Sequence, residues 1–380
     1  MKKSFNGFAA TLLAFAMSAL CVQNVSAQSC NVPLHSDWMR DVKDNTPVRL
    51  LGIPGAHDAA TGTISFYGAS VQSKNVNTLF DAGVRYYDFR VGFTSGVTLR
   101  MYHGGMDLSR TFYGVMDDLY KKLDSHKDEF VIVEVTVESG TAQKDNCKDH
   151  LKSYFRKKYK DPEHDVNFTY WDDEKTYQWA RDKWLEFRPD LTVKDCRGKV
   201  ILLFNDEYDS FDKMVGAFIP GRGDGPMNET MIKYRSGDDV KYCMMFAQNQ
   251  YHDDAINSNV RAKAERYAIP HVSRFTDFVN EHPDSLVWSM NFLSAYTDNP
   301  AAPNGSQVAE ATNIPFARYL MNHPDMYVGI VLMDFCGETT NWGYTTSGDI
   351  SVDAVLSLNW KFMDESKLKD RRKPNVINSN

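Results

Sequence analysis

Short apolar runs recur along this chain, and most are followed by a stretch whose apolar residues fall at helical spacing. Eight of them, at 48–53, 84–91, 97–102, 130–137, 199–204, 242–247, 286–292 and 327–335, read as strands. Several are apolar on both faces, as strands are when a sheet is covered on both sides. Helical patterns fill 71–82, 109–127, 170–187, 257–281 and 308–322. Strand–helix alternation around eight strands predicts an α/β fold, a distorted (β/α)8 TIM barrel in a single domain. A doubly wound open sheet is the alternative. The distortion is expected between 204 and 242, where Gly216, Gly221, Gly223, Gly225 and two prolines interrupt the alternation.

The chain has 380 residues, 42% hydrophobic and 24% charged, enough to bury a large core. A net charge of −7 with no basic stripe argues against a nucleic-acid partner. Lys2 and Lys3, the apolar run 8–22 and the small-x-small sequence Val25-Ser26-Ala27 read as an export signal over 1–27. The expected mature domain is 28–380, secreted or periplasmic. A lipid anchor on Cys21 or Cys30 is the alternative, although neither cysteine has a small-residue lipobox context. Cys30, Cys147, Cys196, Cys243 and Cys336 contain no C-x-x-C pair, so no zinc site is expected. One or two disulfides can form among them, and the odd count leaves a thiol.

Four segments carry chemistry. In Ile53-Pro54-Gly55-Ala56-His57-Asp58 a strand ends and His-Asp follows, at the barrel mouth where catalytic groups sit. In Asp81–Arg90, Asp88 and Arg90 are two apart at a strand end and share a face with Val84 and Tyr86, while Arg85 and Tyr87 point outward to helices. In Leu99-Arg100-Met101-Tyr102-His103-Gly104-Gly105 a second strand ends in histidine, and the glycines allow close approach of backbone or ligand. In 328–335 the acid Asp334 ends a very apolar strand; barrel closure would bring it beside His57 as the partner that a buried carboxylate needs. One histidine after a strand is ordinarily structural, and Asp88/Arg90 alone could be a simple ion pair. Two histidines, each just past a barrel strand, are a different matter.

Residues 53–58, 81–90 and 102–104, in that order and spacing, resemble the X-region of phosphatidylinositol-specific phospholipase C. Residues 197–203, 248–251 and 329–335 resemble the fifth, sixth and last strands of the secreted bacterial members, so the resemblance runs from about 48 to 335. It implies that His57 is the general base on the inositol 2-hydroxyl, oriented by Asp334. It makes His103 the general acid, assisted by Asp58, and Arg90 the phosphate ligand, fixed by Asp88. Thr136, Asn205, Asn249 and Tyr251 fall at the substrate-binding positions. No cofactor is called for, and no metal, because Arg90 supplies a fixed positive charge where the calcium-dependent relatives use an ion. The implied partner is a phosphatidylinositol-type lipid met in transient contact with a membrane surface, by a protein acting as a monomer.

The match departs at the headgroup positions. Thr136 stands for a lysine, Asn205 for an arginine and Asn249 for an aspartate of the bacterial pattern. Glu134 or Glu138 could take over hydroxyl contacts; Glu134 could equally be a satisfied internal carboxylate. Another glycero- or inositol-phosphodiester is therefore the alternative substrate, and a non-catalytic headgroup-binding protein the alternative function. The aromatic segment 155–187 is either a bilayer-touching rim or the core of an inserted helical layer. Arg222-Gly223-Asp224, the glycosylation-like Asn228-Glu229-Thr230 and the basic tail 367–373 carry no functional weight.

Overall fold

The computed structural model describes residues 35–64, 70–93, 98–138, 144–159, 171, 173–205, 214–219, 225, 228–298 and 305–367. The export signal, Cys30, Phe168, Tyr170, the 222–224 tripeptide and the tail beyond 367 lie outside them. The strands are β1 (Ile53–Ala56), β2 (Tyr86–Gly92), β3 (Arg100–His103), β4 (Met106–Thr111), β5 (Val131–Val137), β6 (Trp184–Leu185), β7 (Val200–Phe204), β8 (Ala217–Phe218), β9 (Asn228–Ser236), β10 (Asp239–Gln248), β11 (Trp288–Phe292) and β12 (Ile330–Met333). They form one sheet. β1 pairs in parallel with both β12 and β2, which closes the sheet into a barrel running β1-β2-β5-β7-β8-β9-β10-β11-β12.

The closed barrel excludes the open doubly wound sheet. The distortion falls where the glycine-rich stretch lies: β8 pairs antiparallel with β9, and β9 with β10. β5 shows why these runs become buried strands. Val131, Ile132, Val133, Val135 and Val137 are β-branched and buried, as stacking between the sheet and its covering helices requires.

The expected run 48–53 is a 3-10 turn over Val48–Leu50 with β1 starting only at Ile53, and another of the expected eight is not a barrel strand. The run 97–102 becomes β3, which forms an antiparallel hairpin with β4 and pairs antiparallel with the end of β2. The reason is Gly104-Gly105, both at positive φ (55° and 81°), a two-residue hairpin turn that reverses the chain at once. The helix expected over 71–82 begins only at Val76, capped by the Asn75 side chain, because 70–72 is spent on contacts to the barrel mouth. The pattern 257–281 divides into Asp254–Ser258, a π-helical turn Lys263–Ala268 and Ile269–Glu281, with Pro270 in the first turn of the last.

Where it is described, most of the aromatic segment is core; Tyr159 and Trp179 are half-buried against it. Tyr154, Phe155, Trp171, Tyr177 and Trp184 are buried and meet one another largely edge-on. Opposite the mouth, Arg85 faces outward as expected and is wholly buried. It pairs with Glu129 at 2.8 Å and lies 3.7 Å over the Phe80 ring. Glu129 also accepts the backbone N–H groups of Met39 and Arg40, which fastens the His35–Asp41 turn to the barrel floor. No disulfide joins any two of Cys147, Cys196, Cys243 and Cys336, all of them buried. Among the described residues no helix is long and apolar enough to cross a membrane.

Candidate active site

The expected residues come from four places along the chain. β1 ends at Ala56, and its next two residues carry His57 and Asp58. Asp58 sits at φ 43°, a left-handed conformation rare for a side-chain-bearing residue and typical of strain kept at a working site. β2 runs on past the end of β1 and presents Asp88 and Arg90 on one face. Beyond Ala56 the edge of β2 is vacant, and β3 fills it. The pairs Gly92–Arg100 and Val91–Met101 aim β3 back down the barrel, so His103 arrives above the turn that holds His57. β12 lies beside β1 with Ala56 opposite Met333, which sets Asp334 next to His57.

The result is one polar network. His57 Nδ1 lies 2.9 Å from Asp334 Oδ1. This partnership favours the neutral ring with its proton on Nδ1, so that Nε2 is the nitrogen turned to the rest of the network. Nε2 lies 3.3 Å from Asp58 Oδ2 and 3.4 Å from Arg90 Nη2. Asp58 Oδ2 is also 3.1 Å from His103 Nε2, and Asp58 Oδ1 is 2.6 Å from Arg90 Nε. Arg90 Nη2 reaches Asp88 Oδ2 at 3.3 Å. His57, Asp58, Asp88 and Asp334 are buried, while Arg90 and His103 keep about a fifth to a quarter of their side chains open to solvent. Ligand atoms of His57, Asp58 and Asp88 lie within 4.8 Å of one another. The Arg90 guanidinium already lies among them and pairs with both carboxylates.

Burial would raise the Asp58 carboxyl, but Arg90 and the two imidazoles outweigh it and hold the group well below the usual carboxylate range. Burial opposes charge on both imidazoles; for His57 the Asp58 and Asp334 carboxylates win, and for His103 Asp58 does, so both rings sit above the ordinary histidine value. Asp334 is pushed up by burial, with His57 pulling against it. One carboxylate thus polarises two histidines at once. Replacing Asp58 by Asn removes an anion that favours the protonated form of each. If activity needs one ring neutral and one protonated, both limbs of the pH–rate profile move to lower pH in that variant. A profile measured from pH 4 to 9 checks this; limbs left in place count against the shared role. The limbs belong to the coupled pair rather than to either ring.

The four residues expected to bind the headgroup sit on or just past the ends of β5, β7 and β10. Thr136 is opposite Arg90 in the β2–β5 register. Asn205 follows β7 and donates its N–H to Val135 O. Asn249 follows β10 and exchanges backbone hydrogen bonds with Gly225. Tyr251 is exposed and stacks on Tyr296 with ring centroids 6.3 Å apart. Glu134 is an internal carboxylate that accepts the Tyr86 hydroxyl. Glu138 lies close enough to Arg90 to favour its charge. Sequence reasoning passed over Gln72, Thr61 and Asn313, buried polar residues beside the mouth. It also read Gly104-Gly105 as space for a ligand, although a Gly-Gly pair between two alternating runs is itself a hairpin signal.

No protein-family model matches the chain. The chain is 26% identical over 172 residues to the 1-phosphatidylinositol phosphodiesterase of Listeria monocytogenes, a region that covers 44% of this chain and 47% of that protein. The match thus spans about half the length of that relative. Among solved structures, a pentafluoro-Phe variant of the Staphylococcus aureus phosphatidylinositol-specific phospholipase C superposes with a TM-score of 0.61 at 17% identity, covering 86% of this chain and 99% of that one. The Listeria monocytogenes phosphatidylinositol-specific phospholipase C superposes with a TM-score of 0.53 at 18% identity, covering 86% and 98%. The chain therefore has the distorted barrel fold of the bacterial phosphatidylinositol-specific phospholipases C, and across the matched region it is similar in sequence to the Listeria phosphodiesterase.

Proposed function

We propose that this protein cleaves the phosphodiester of phosphatidylinositol-type lipids to diacylglycerol and a cyclic inositol 1,2-phosphate, without a metal ion. The observation that carries the reading is the meeting of two imidazoles and one guanidinium around the Asp58 carboxylate. Attack by a neighbouring hydroxyl on phosphorus needs a base on one side, an acid on the other and a cation for the charge on the phosphoryl oxygens. His57 Nε2 takes the proton of the 2-hydroxyl, and Asp334 steadies the imidazolium that results. Arg90 holds the phosphoryl oxygens. His103 gives its proton to the departing glycerol oxygen, kept protonated for that step by Asp58. Acid and base each contribute on the order of 10²–10⁴ in rate. Because the nucleophile belongs to the substrate, no second molecule has to be ordered.

Thr136, Asn205, Asn249 and Tyr251 form the headgroup side. Asn and Thr in place of charged residues leave room for a second reading, in which a soluble glycerophosphoinositol or a related diester is the better substrate. The protein is proposed to act as an exported monomer, residues 28–380 after loss of 1–27, touching the membrane only while it turns over.

Phosphorus NMR of phosphatidylinositol vesicles incubated with the protein and excess chelator tests this directly. The expected result is loss of the diester signal and growth of a five-membered cyclic phosphate signal. No cyclic product from the lipid, but one from glycerophosphoinositol, favours the second reading. No product from either overturns both.

A further inference from the structure

Gln72 is fully buried, yet its amide reaches three backbone groups on two separate strand ends. Nε2 donates to His57 O at 2.9 Å and to Met333 O at 2.9 Å. Oε1 accepts the N–H of Cys336 at 3.0 Å. One side chain therefore grips the residue that carries the base and both chain neighbours of Asp334–Phe335. The two gripped segments need it. Just outside β1, Asp58 is left-handed at φ 43°, and just outside β12, Phe335 is left-handed at φ 53°. Neither is glycine, so each conformation is disfavoured and persists only where its surroundings over-determine it.

Gln72 is itself held in place. Its N–H donates to Thr61 Oγ1 at 3.0 Å, and the same hydroxyl donates to Asp58 O at 2.9 Å. The Ser70 hydroxyl donates to Gln72 O, and Phe335 N–H donates to Val71 O. The segment 70–72 is thus a strap laid over the paired ends of β1 and β12, tied directly to His57, Met333, Phe335 and Cys336 and through Thr61 to Asp58.

We propose that Gln72 is a positioning residue for the base half of the site: through backbone bonds to both strand ends it sets the His57–Asp334 distance and angle. The proposal rests on the acid/base reading above. It assigns Gln72 to activation of the nucleophile and not to protonation of the leaving group, because its contacts run to the His57 and Asp334 segments and none of those bonds reaches His103.

The test compares wild type with Gln72→Met, which keeps the length but no hydrogen-bonding group, and Gln72→Glu, which keeps the acceptor for Cys336 N–H. Three readouts are taken: thermal unfolding, the downfield proton NMR resonance of the His57 Nδ1–Asp334 hydrogen bond, and steady-state kinetics. His57→Ala, which abolishes the resonance, assigns it. The kinetics use phosphatidylinositol and a nitrophenyl inositol phosphodiester whose leaving group needs no proton. The expected result is a kcat lower by about 10- to 100-fold on both substrates, KM within about twofold, and a resonance shifted or broadened. His103→Ala, by contrast, recovers most of its loss on the nitrophenyl substrate. Folded variants with the resonance in place overturn the proposal, whatever their melting temperature, and so does a defect confined to the lipid. Should Gln72→Met not fold, Gln72→Glu decides by the same readouts. If wild type cleaves neither substrate, the phosphodiesterase reading fails, while the resonance still reports whether Gln72 sets the His57–Asp334 pair.

Discussion

Replacing His57 by Ala is expected to lower the rate of phosphatidylinositol cleavage by about 10⁴-fold, the upper range for loss of a positioned base. The ring has one nitrogen tied to Asp334, and its other nitrogen lies 3.4 Å from Arg90 Nη2, where the phosphate is proposed to bind. Asp58 is a poor substitute, because the guanidinium and His103 hold it ionised with little basicity left. The substitution leaves Asp334 buried without its imidazole, so a modest loss of stability goes with it. Initial rates at matched folded fraction separate the two effects. A residual rate within tenfold of wild type would falsify the assignment of His57 as base. Headgroup binding that survives while turnover is lost distinguishes an enzyme from a mere binding protein.

Arg90→Lys is the second large effect, a loss of about 10²–10³ in kcat. The conservative appearance of this change is misleading. The guanidinium, planar by resonance, meets Asp58 through Nε and Asp88 through Nη2 and so is held in one orientation, about a quarter exposed. An ammonium carries the same charge on a flexible stem and has no fork with which to bridge two carboxylates and a phosphate. It settles on the carboxylates, and the phosphoryl oxygens lose their donor. Comparing kcat with KM on the lipid checks this: a change in KM alone would mean that Arg90 binds the ground state and does not serve the transition state.

Much of the architecture was legible because the physics behind it is local. β-Branched runs buried on both faces mark parallel strands, and the glycine-rich gap after Phe204 marks the side where the barrel departs from parallel pairing. The pairing of His57 with Asp334 followed from closure alone, since the last strand must meet the first. The placement of His103 was harder. Its strand has the composition of a barrel strand, and only the Gly104-Gly105 reversal diverts it outside the ring. Gln72 was invisible for another reason. Its role is to satisfy backbone groups of residues far away in sequence, and nothing in a single chain marks which polar side chain will be folded inward to do so. The helical spacing of 71–82 even argued against it, because the tertiary demand of the strap overrides local propensity.

The hairpin that brings in His103 divides responsibility within the active site. On the proposed mechanism, activation of the nucleophile and stabilisation of the phosphoryl charge are built on the closed ring, whose strands are paired on both edges. Protonation of the leaving group then falls to a hairpin attached along the end of β2. Length changes or sequence drift in 98–111 could therefore retune which alcohols depart easily while the rest of the apparatus stays intact. Across homologues, diversity in leaving-group preference should concentrate in this hairpin, and diversity in the attacking polyol elsewhere.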